Sequence, residues 1–180
     1  YPVSHAADYV GGITGYNHGV IKAEARKDNN VRIVGKNYVG GIVGYNDSGA
    51  EVTNYAVTAG SINGDTDKGS YVGGLAGCNA SILMLQKADG SAKQLYVSTQ
   101  NISGKYFVGG VIGANADIDL TKTQEDTGNS SGDTLVLVEK GASPIVVSDT
   151  VNSKNTVSNW QNTGVVYATG MYAGGISGYN

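Results

Sequence analysis

The sequence predicts an all-β chain: a parallel β-solenoid, of right-handed β-helix type, with five to six coils and irregular loop or hairpin excursions. Two observations carry this. A nine-residue phrase occurs five times: YVGGITGYN at 9–17, YVGGIVGYN at 38–46, YVGGLAGCN at 71–79, FVGGVIGAN at 107–115 and YAGGISGYN at 172–180. Its starts lie 29, 33, 36 and 65 residues apart, and the first three intervals fall in the range of stacked repeat arrays. The second observation is composition. The 180 residues include 28 Gly and 12 Tyr but 2 Pro and one Phe, which fits many tight turns between short strands. Glycine in a helix interior costs about 1 kcal/mol relative to Ala, so the same count disfavours helix.

The phrase can be read position by position. Val10, Val39, Val72, Val108 and Ala173 follow the aromatic residue, and Ile13, Ile42, Leu75, Val111 and Ile176 follow the Gly-Gly pair. Both sets suit an interior, yet they lie three apart, and a continuous strand puts residues of odd separation on opposite faces. The Gly-Gly pair is therefore expected to turn a corner, using glycine's freedom at positive φ. The closing Asn17, Asn46, Asn79, Asn115 and Asn180 suit a second corner. Asn tolerates the left-handed region, and its amide can bond the identical amide one repeat on, which predicts an asparagine ladder. A weaker echo leads into four of the phrases: Ile33-Val34-Gly35, Ile62-Asn63-Gly64, Ile102-Ser103-Gly104 and Ala168-Thr169-Gly170. Coils of this kind, stacked about 4.8 Å apart, would form parallel sheets around a column of aliphatic side chains.

If the Val after the aromatic residue points inward, Tyr9, Tyr38, Tyr71, Phe107 and Tyr172 are expected to face outward as a vertical stack. Tyr16, Tyr45 and Tyr179 would form a second, partial stack. Stacked rings shield glycine-thinned strands and contribute about 0.5–1.5 kcal/mol per pair beyond burial. They could instead be a recognition surface, because Tyr offers rigid, amphipathic contact area suited to sugars or proteins. On that second reading the five aromatics are the candidate ligand-facing residues.

Between phrases, 83–96 and 135–147 read as hairpins or as strand pairs with a projecting turn. The stretch 121–133, TKTQEDTGNSSGD, reads as a mobile surface loop, and 116–171 as a degenerate coil or an insertion. The whole of 1–180 is expected to be one solenoid domain, monomeric within a longer chain. The last phrase closes on Asn180 with no capping segment, and a solenoid needs its ends covered.

Several function classes are disfavoured. The formal net charge is -3 and the pI near 5.2, so no basic field attracts nucleic acid. The longest apolar runs are far shorter than the roughly 20 residues of a membrane-spanning helix. The glycines of the phrase do not match Gly-x4-Gly-Lys-[Ser/Thr] or open a helix, so a phosphate-binding role is set aside. His5 and His18 are the two histidines, no His-Glu-x-x-His occurs, and Cys78 fills a slot held elsewhere by Tyr or Ala. The parallel β-helix also hosts sugar-cleaving enzymes, which need clustered carboxylates with Arg or Lys. Here the two arginines, Arg26 and Arg32, sit together, and Asp117 with Asp119 reads as a solvated surface pair. No catalytic, cofactor-binding or metal-ligating residue is assigned, and the chain is not expected to be an enzyme. A peripheral calcium ion at 65–67 or 117–126 is left open, without the full set of ligands that an EF-hand supplies.

The segment Gly40-Gly41-Ile42-Val43-Gly44-Tyr45-Asn46 resembles the GLUG-type repeat, whose core reads roughly G-G-[LIV]-[VI]-G-x-N. The resemblance covers the five phrases and their leading strands, roughly two thirds of the chain, and 116–160 departs from it. GLUG repeats occur in bacterial cell-surface proteins, including adhesins and the N-terminal regions of some IgA-cleaving metallopeptidases. The resemblance implies an extracellular β-solenoid on a bacterial surface, serving as an adhesin module or stalk. Its ligand would be a host glycan or a host protein such as immunoglobulin or mucin, met by the loops at 65–70, 86–93, 121–133 and 139–144. The alternative is an accessory repeat domain of a secreted hydrolase or peptidase whose catalytic part lies elsewhere.

Overall fold

The computed structural model describes residues 8–22, 31–53, 58–67, 70–84, 95–118, 124–126, 134–136, 146–148, 160–162 and 164–180. They form short strands, with no helix among them. The chain repeats one itinerary. A first pass runs through β1 (Tyr9–Gly11), β2 (Thr14–Asn17), β3 (Val20–Lys22) and β4 (Val31–Val34). A second runs through β5 (Tyr38–Gly40), β6 (Val43–Asn46), β7 (Glu51–Thr53) and β8 (Thr58–Asn63). A third comprises β9 (Ser70–Gly73), β10 (Ala76–Asn79), β11 (Ile82–Met84) and the long β12 (Leu95–Gly104). The fourth starts with β13 (Tyr106–Gly109) and β14 (Ile112–Ala114), leaves for a hairpin of β15 (Gln124–Asp126) and β16 (Thr134–Val136), and returns as β17 (Val146–Ser148), β18 (Trp160–Asn162) and β19 (Val165–Ala168). A fifth comprises β20 (Ala173–Gly174) and β21 (Ser177–Tyr179).

Corresponding strands pair in parallel and build four sheets: β1-β5-β9-β13-β20, β2-β6-β10-β14-β21, β3-β7-β11-β17 and β4-β8-β12-β18, with β19 also on β12. Register follows the phrase, since Val10 pairs with Val39, Val39 with Val72, Val72 with Val108 and Val108 with Ala173. The fourth and fifth phrases are neighbours, as β13 pairs with β20 and β14 with β21. The 65-residue interval is thus one step of the stack, with the hairpin as added chain.

Two sequence expectations need correction here. The stretch 121–133 contains a strand, β15, paired antiparallel with β16 in the register Gln124–Val136. The pairing uses backbone amides, which carry no hydropathy signal. In the last leading echo, Ile102 pairs with Val166 and Ser103 with Tyr167, so the echo of Ile33 and Ile62 is Val166, two residues before Ala168.

The aliphatic column forms as expected: Ile33, Ile62 and Ile102 of the fourth sheet pack with Val39, Val72 and Val108 of the first. Ile42, Leu75 and Val111 after the Gly-Gly pair are buried as well. The reason for glycine differs from the expected one. The sequence reading puts positive φ at the Gly-Gly corner, whereas among the described residues it occurs at Tyr71 (61°), Phe107 (48°), Tyr172 (63°) and Gly49 (81°). The phrase needs glycine for close approach. A Cβ on Gly44 would lie 2.5 Å from the Gly15 carbonyl oxygen and 2.7 Å from that of Tyr38. The two strands of a phrase lie backbone to backbone, a separation that excludes side chains.

Candidate functional site

The five aromatic residues at the head of the phrase form one continuous stack. Ring centroids are 4.8 Å apart for Tyr9–Tyr38, 4.7 Å for Tyr38–Tyr71, 5.1 Å for Tyr71–Phe107 and 4.8 Å for Phe107–Tyr172, all within 7° of parallel. The spacing is that of the parallel strands carrying them. The outward facing expected for these residues is corrected: Tyr38, Tyr71 and Phe107 are buried, Tyr9 is half-buried, and Tyr172 is 50% exposed. The cause is the second stack. Tyr45 meets Tyr38 edge-on at 5.6 Å and 83°, and Tyr179 meets Phe107 at 5.7 Å and 85°, covering the side that was expected to face water. Left-handed backbone at Tyr71, Phe107 and Tyr172 costs on the order of 1–3 kcal/mol each, which the packing of the stack must offset.

The second stack joins Tyr16 to Tyr45 at 5.3 Å and then meets Cys78 and Ala114, which carry no ring. The segment 114–118 fills the space. Ala116 and Ile118 are buried in the same cluster, the Cys78 thiol donates to the Ala116 carbonyl at 3.3 Å, and the Tyr45 hydroxyl donates to that of Ile118 at 3.4 Å. Cys78 is thus a fully buried packing residue. Asp117, carried on this segment, is buried and not a surface acid. Asp119 and Arg26 lie outside the described residues. Burial pushes the hydroxyls of Tyr38, Tyr45 and Tyr71 well above the ordinary tyrosine range. That of Tyr16 is pushed up to about 12, first by desolvation and then by its bond to Asp47.

The asparagine ladder is complete. Asn17 Nδ2 donates to Asn46 Oδ1 at 2.8 Å, Asn46 to Asn79 at 2.8 Å, Asn79 to Asn115 at 3.0 Å and Asn115 to Asn180 at 2.9 Å. Every rung donates in the same direction along the stack. None of the five Asn is in the left-handed region, so their amides and not their backbones explain the residue.

What reaches solvent is different. On the fourth sheet, Ile33, Ile62 and Ile102 point inward, and the alternate positions carry Arg32 and Val34, Ser61 and Asn63, Asn101 and Ser103, then Val165 and Tyr167. Ser103 Oγ donates to Asn63 Oδ1 at 2.9 Å, and Asn63 Nδ2 donates to Ser61 Oγ at 3.2 Å. Tyr167 stands exposed beside this strip of amides and hydroxyls. The sequence reading missed the strip, although period-two alternation around Ile62 and Ile102 signals it. At the second corner, His18 Nδ1 lies 2.8 Å from Asp47 Oδ2, and Asp47 also bonds Tyr16.

Of the loops expected to hold a ligand, 86–93 and 139–144 lie outside the described residues, and 121–133 is described at 124–126 only. At 65–67, the Asp67 amide donates to Asp65 Oδ1 at 2.8 Å, a local turn. Among the described residues no three His, Cys, Asp or Glu side chains gather as a metal would need, and no helix is long and apolar enough to cross a membrane. Comparisons with protein-family models, with curated proteins and with solved structures give no match for this chain.

Proposed function

We propose that the chain is a right-handed parallel β-solenoid module of a bacterial cell-surface protein, acting outside the cell as a non-catalytic adhesin module or stalk. One observation carries the reading. The repeated phrase is consumed in unbroken internal columns of rings and amides, so its five copies act as structure and leave recognition to the segments between them. The ligand class is a host glycan or host protein, met by the irregular segments and by the exposed strip around Tyr167, where a ring adjoins amides and hydroxyls. The GLUG-like core Gly40–Asn46 supports the surface setting.

The test is a binding screen against host glycans, mucin and immunoglobulin, using the intact chain, Tyr167→Ala, Tyr71→Ala and a form lacking 86–93 and 139–144. A ligand lost in Tyr167→Ala or in the loop-deleted form, with melting unchanged, supports the proposal. Tyr71→Ala should lower the melting point instead, because a buried aromatic truncated to Ala costs about 3–5 kcal/mol. Absence of binding across the panel, or hydrolysis of a panel member, would count against it.

A further inference from the structure

The outward face of the fourth sheet is open because of the direction its side chains point, not because of where the stack begins or ends. Strand β12 has β8 on one side and β18 and β19 on the other, yet Asn101 on it is exposed. Further passes at either end would lengthen this face without covering it. Register aligns Val34, Asn63, Ser103 and Tyr167 as one column across β4, β8, β12 and β19, with Ser61 and Asn101 adjacent in the next column.

The chemistry of the face is that of a neutral, hydroxyl-rich ligand. Arg32, on β4, is the one charged side chain among these outward positions, and Lys36, Asp65 and Lys105 follow the glycines at the strand ends. A polyanion therefore finds no row of cations here. The polar groups are already held in place, since Ser103 Oγ donates to Asn63 Oδ1 at 2.9 Å and Asn63 Nδ2 donates to Ser61 Oγ at 3.2 Å. By valence the Asn63 amide has a second N–H, the Ser61 hydroxyl has its own proton to give, and Ser103 Oγ has lone pairs to accept with. Groups held in advance lower the ordering cost of binding. At the end of the column the Tyr167 ring is 60% exposed.

We infer that this face binds an uncharged, extended, β-linked glycan chain lying along the column and across the strands. The C–H face of one sugar ring rests on Tyr167, and hydroxyls of the following rings meet Ser103, Asn63 and Ser61. Strands about 4.8 Å apart give a column of about 14 Å, room for roughly three or four sugars in a row. A peptide fits less well, because an added strand needs an open sheet edge, and on this face the backbone groups of β8 and β12 are taken up by their neighbours. The inference rests on the ligand reading above and narrows it to one chemical class at one place.

Calorimetric titration of the 180-residue chain tests it, with the dimer, tetramer and hexamer of β-1,4-linked N-acetylglucosamine, a hexamer of N-acetyllactosamine units, and heparin as the polyanion. A neutral hexamer should bind, the tetramer should bind more tightly than the dimer, and heparin should not compete. Tyr167→Ala should weaken hexamer binding about threefold to tenfold, the worth of a stacked ring, whereas Tyr167→Phe should retain it. Both variants should keep the far-UV spectrum of the parent, and Ser103→Ala replaces Tyr167→Ala in the comparison if that variant does not. Failure of both neutral hexamers to bind, heparin binding as tightly as they do, or hexamer affinity unchanged in Tyr167→Ala and in Ser103→Ala would each overturn the inference. Immunoglobulin bound by a chain that ignores the oligomers would overturn it and leave the adhesin reading standing, whereas a chain that binds neither would sink both.

Discussion

Asn79 occupies the middle rung of the ladder, and its truncation tests how much the ladder contributes. Its side chain accepts from Asn46 at 2.8 Å, donates to Asn115 at 3.0 Å and donates to the Ser81 carbonyl at 3.0 Å. Asn46 is 0% exposed and Asn115 is 5% exposed, so water cannot readily replace what Asn79→Ala removes. A buried group that loses its partner costs about 1–3 kcal/mol, and Asn115 Oδ1 and the Ser81 carbonyl each lose a donor, while Asn46 keeps a further contact. Together these set an expected loss of about 2–6 kcal/mol, a large share of the roughly 5–15 kcal/mol that holds a typical domain. Asn180 forms the outer rung and is exposed, so Asn180→Ala should cost about 1 kcal/mol or less. Urea unfolding followed by far-UV circular dichroism gives both values at a common slope. Equal losses for the two variants, or a loss below about 0.5 kcal/mol for Asn79→Ala, would refute the view that the ladder is a buried and cooperative element.

Three further outcomes follow from the packing. The hydroxyls of Tyr38, Tyr45 and Tyr71 have folded-state pKa values raised by burial above the unfolded value near 10. Their contribution is therefore whole below about pH 10 and is lost as pH rises beyond it, so the share of tyrosinate absorbance that disappears in a Tyr38→Phe, Tyr45→Phe, Tyr71→Phe chain should arise together with unfolding and not before it. Gly44→Ala should destabilise by several kcal/mol, because its Cβ has only backbone atoms to displace, whereas Gly175→Ala should change the melting point little; thermal scans of both decide it. Cys78 is fully buried, so an aromatic disulfide reagent should label it at the rate of unfolding in urea, and rapid labelling of the native chain would show that 114–118 does not cover it.

Much of the architecture was legible in one dimension. Spacing of the five phrases foretold the parallel register, since side chains that recur at each pass can stack only if strands repeat in step. Asn17, Asn46, Asn79, Asn115 and Asn180 foretold the ladder for the same reason. Facing was not legible. The rule that neighbours on a strand point to opposite faces is local, and it turned Tyr38 outward because Val39 turns inward. What covers the outer side, the Tyr45 stack and the segment 114–118, comes from elsewhere in the chain. The exposed strip around Tyr167 was hidden by a two-residue slip in aligning the last echo, which strand pairing resolves through Ile102 and Val166.

The sequence by itself determined the all-β character, the period of the stack, the aliphatic column and the existence of the ladder, because each depends on residues recurring at near-equal intervals. The tertiary structure alone decided which face of each strand is covered, that 116–171 spans a single step, and why the phrase keeps its glycines. Those answers depend on atoms brought together from distant positions, such as the Gly44 Cα against the carbonyls of Gly15 and Tyr38. Periodicity records that a position is constrained, and only the contacts across the backbone-to-backbone seam record by what.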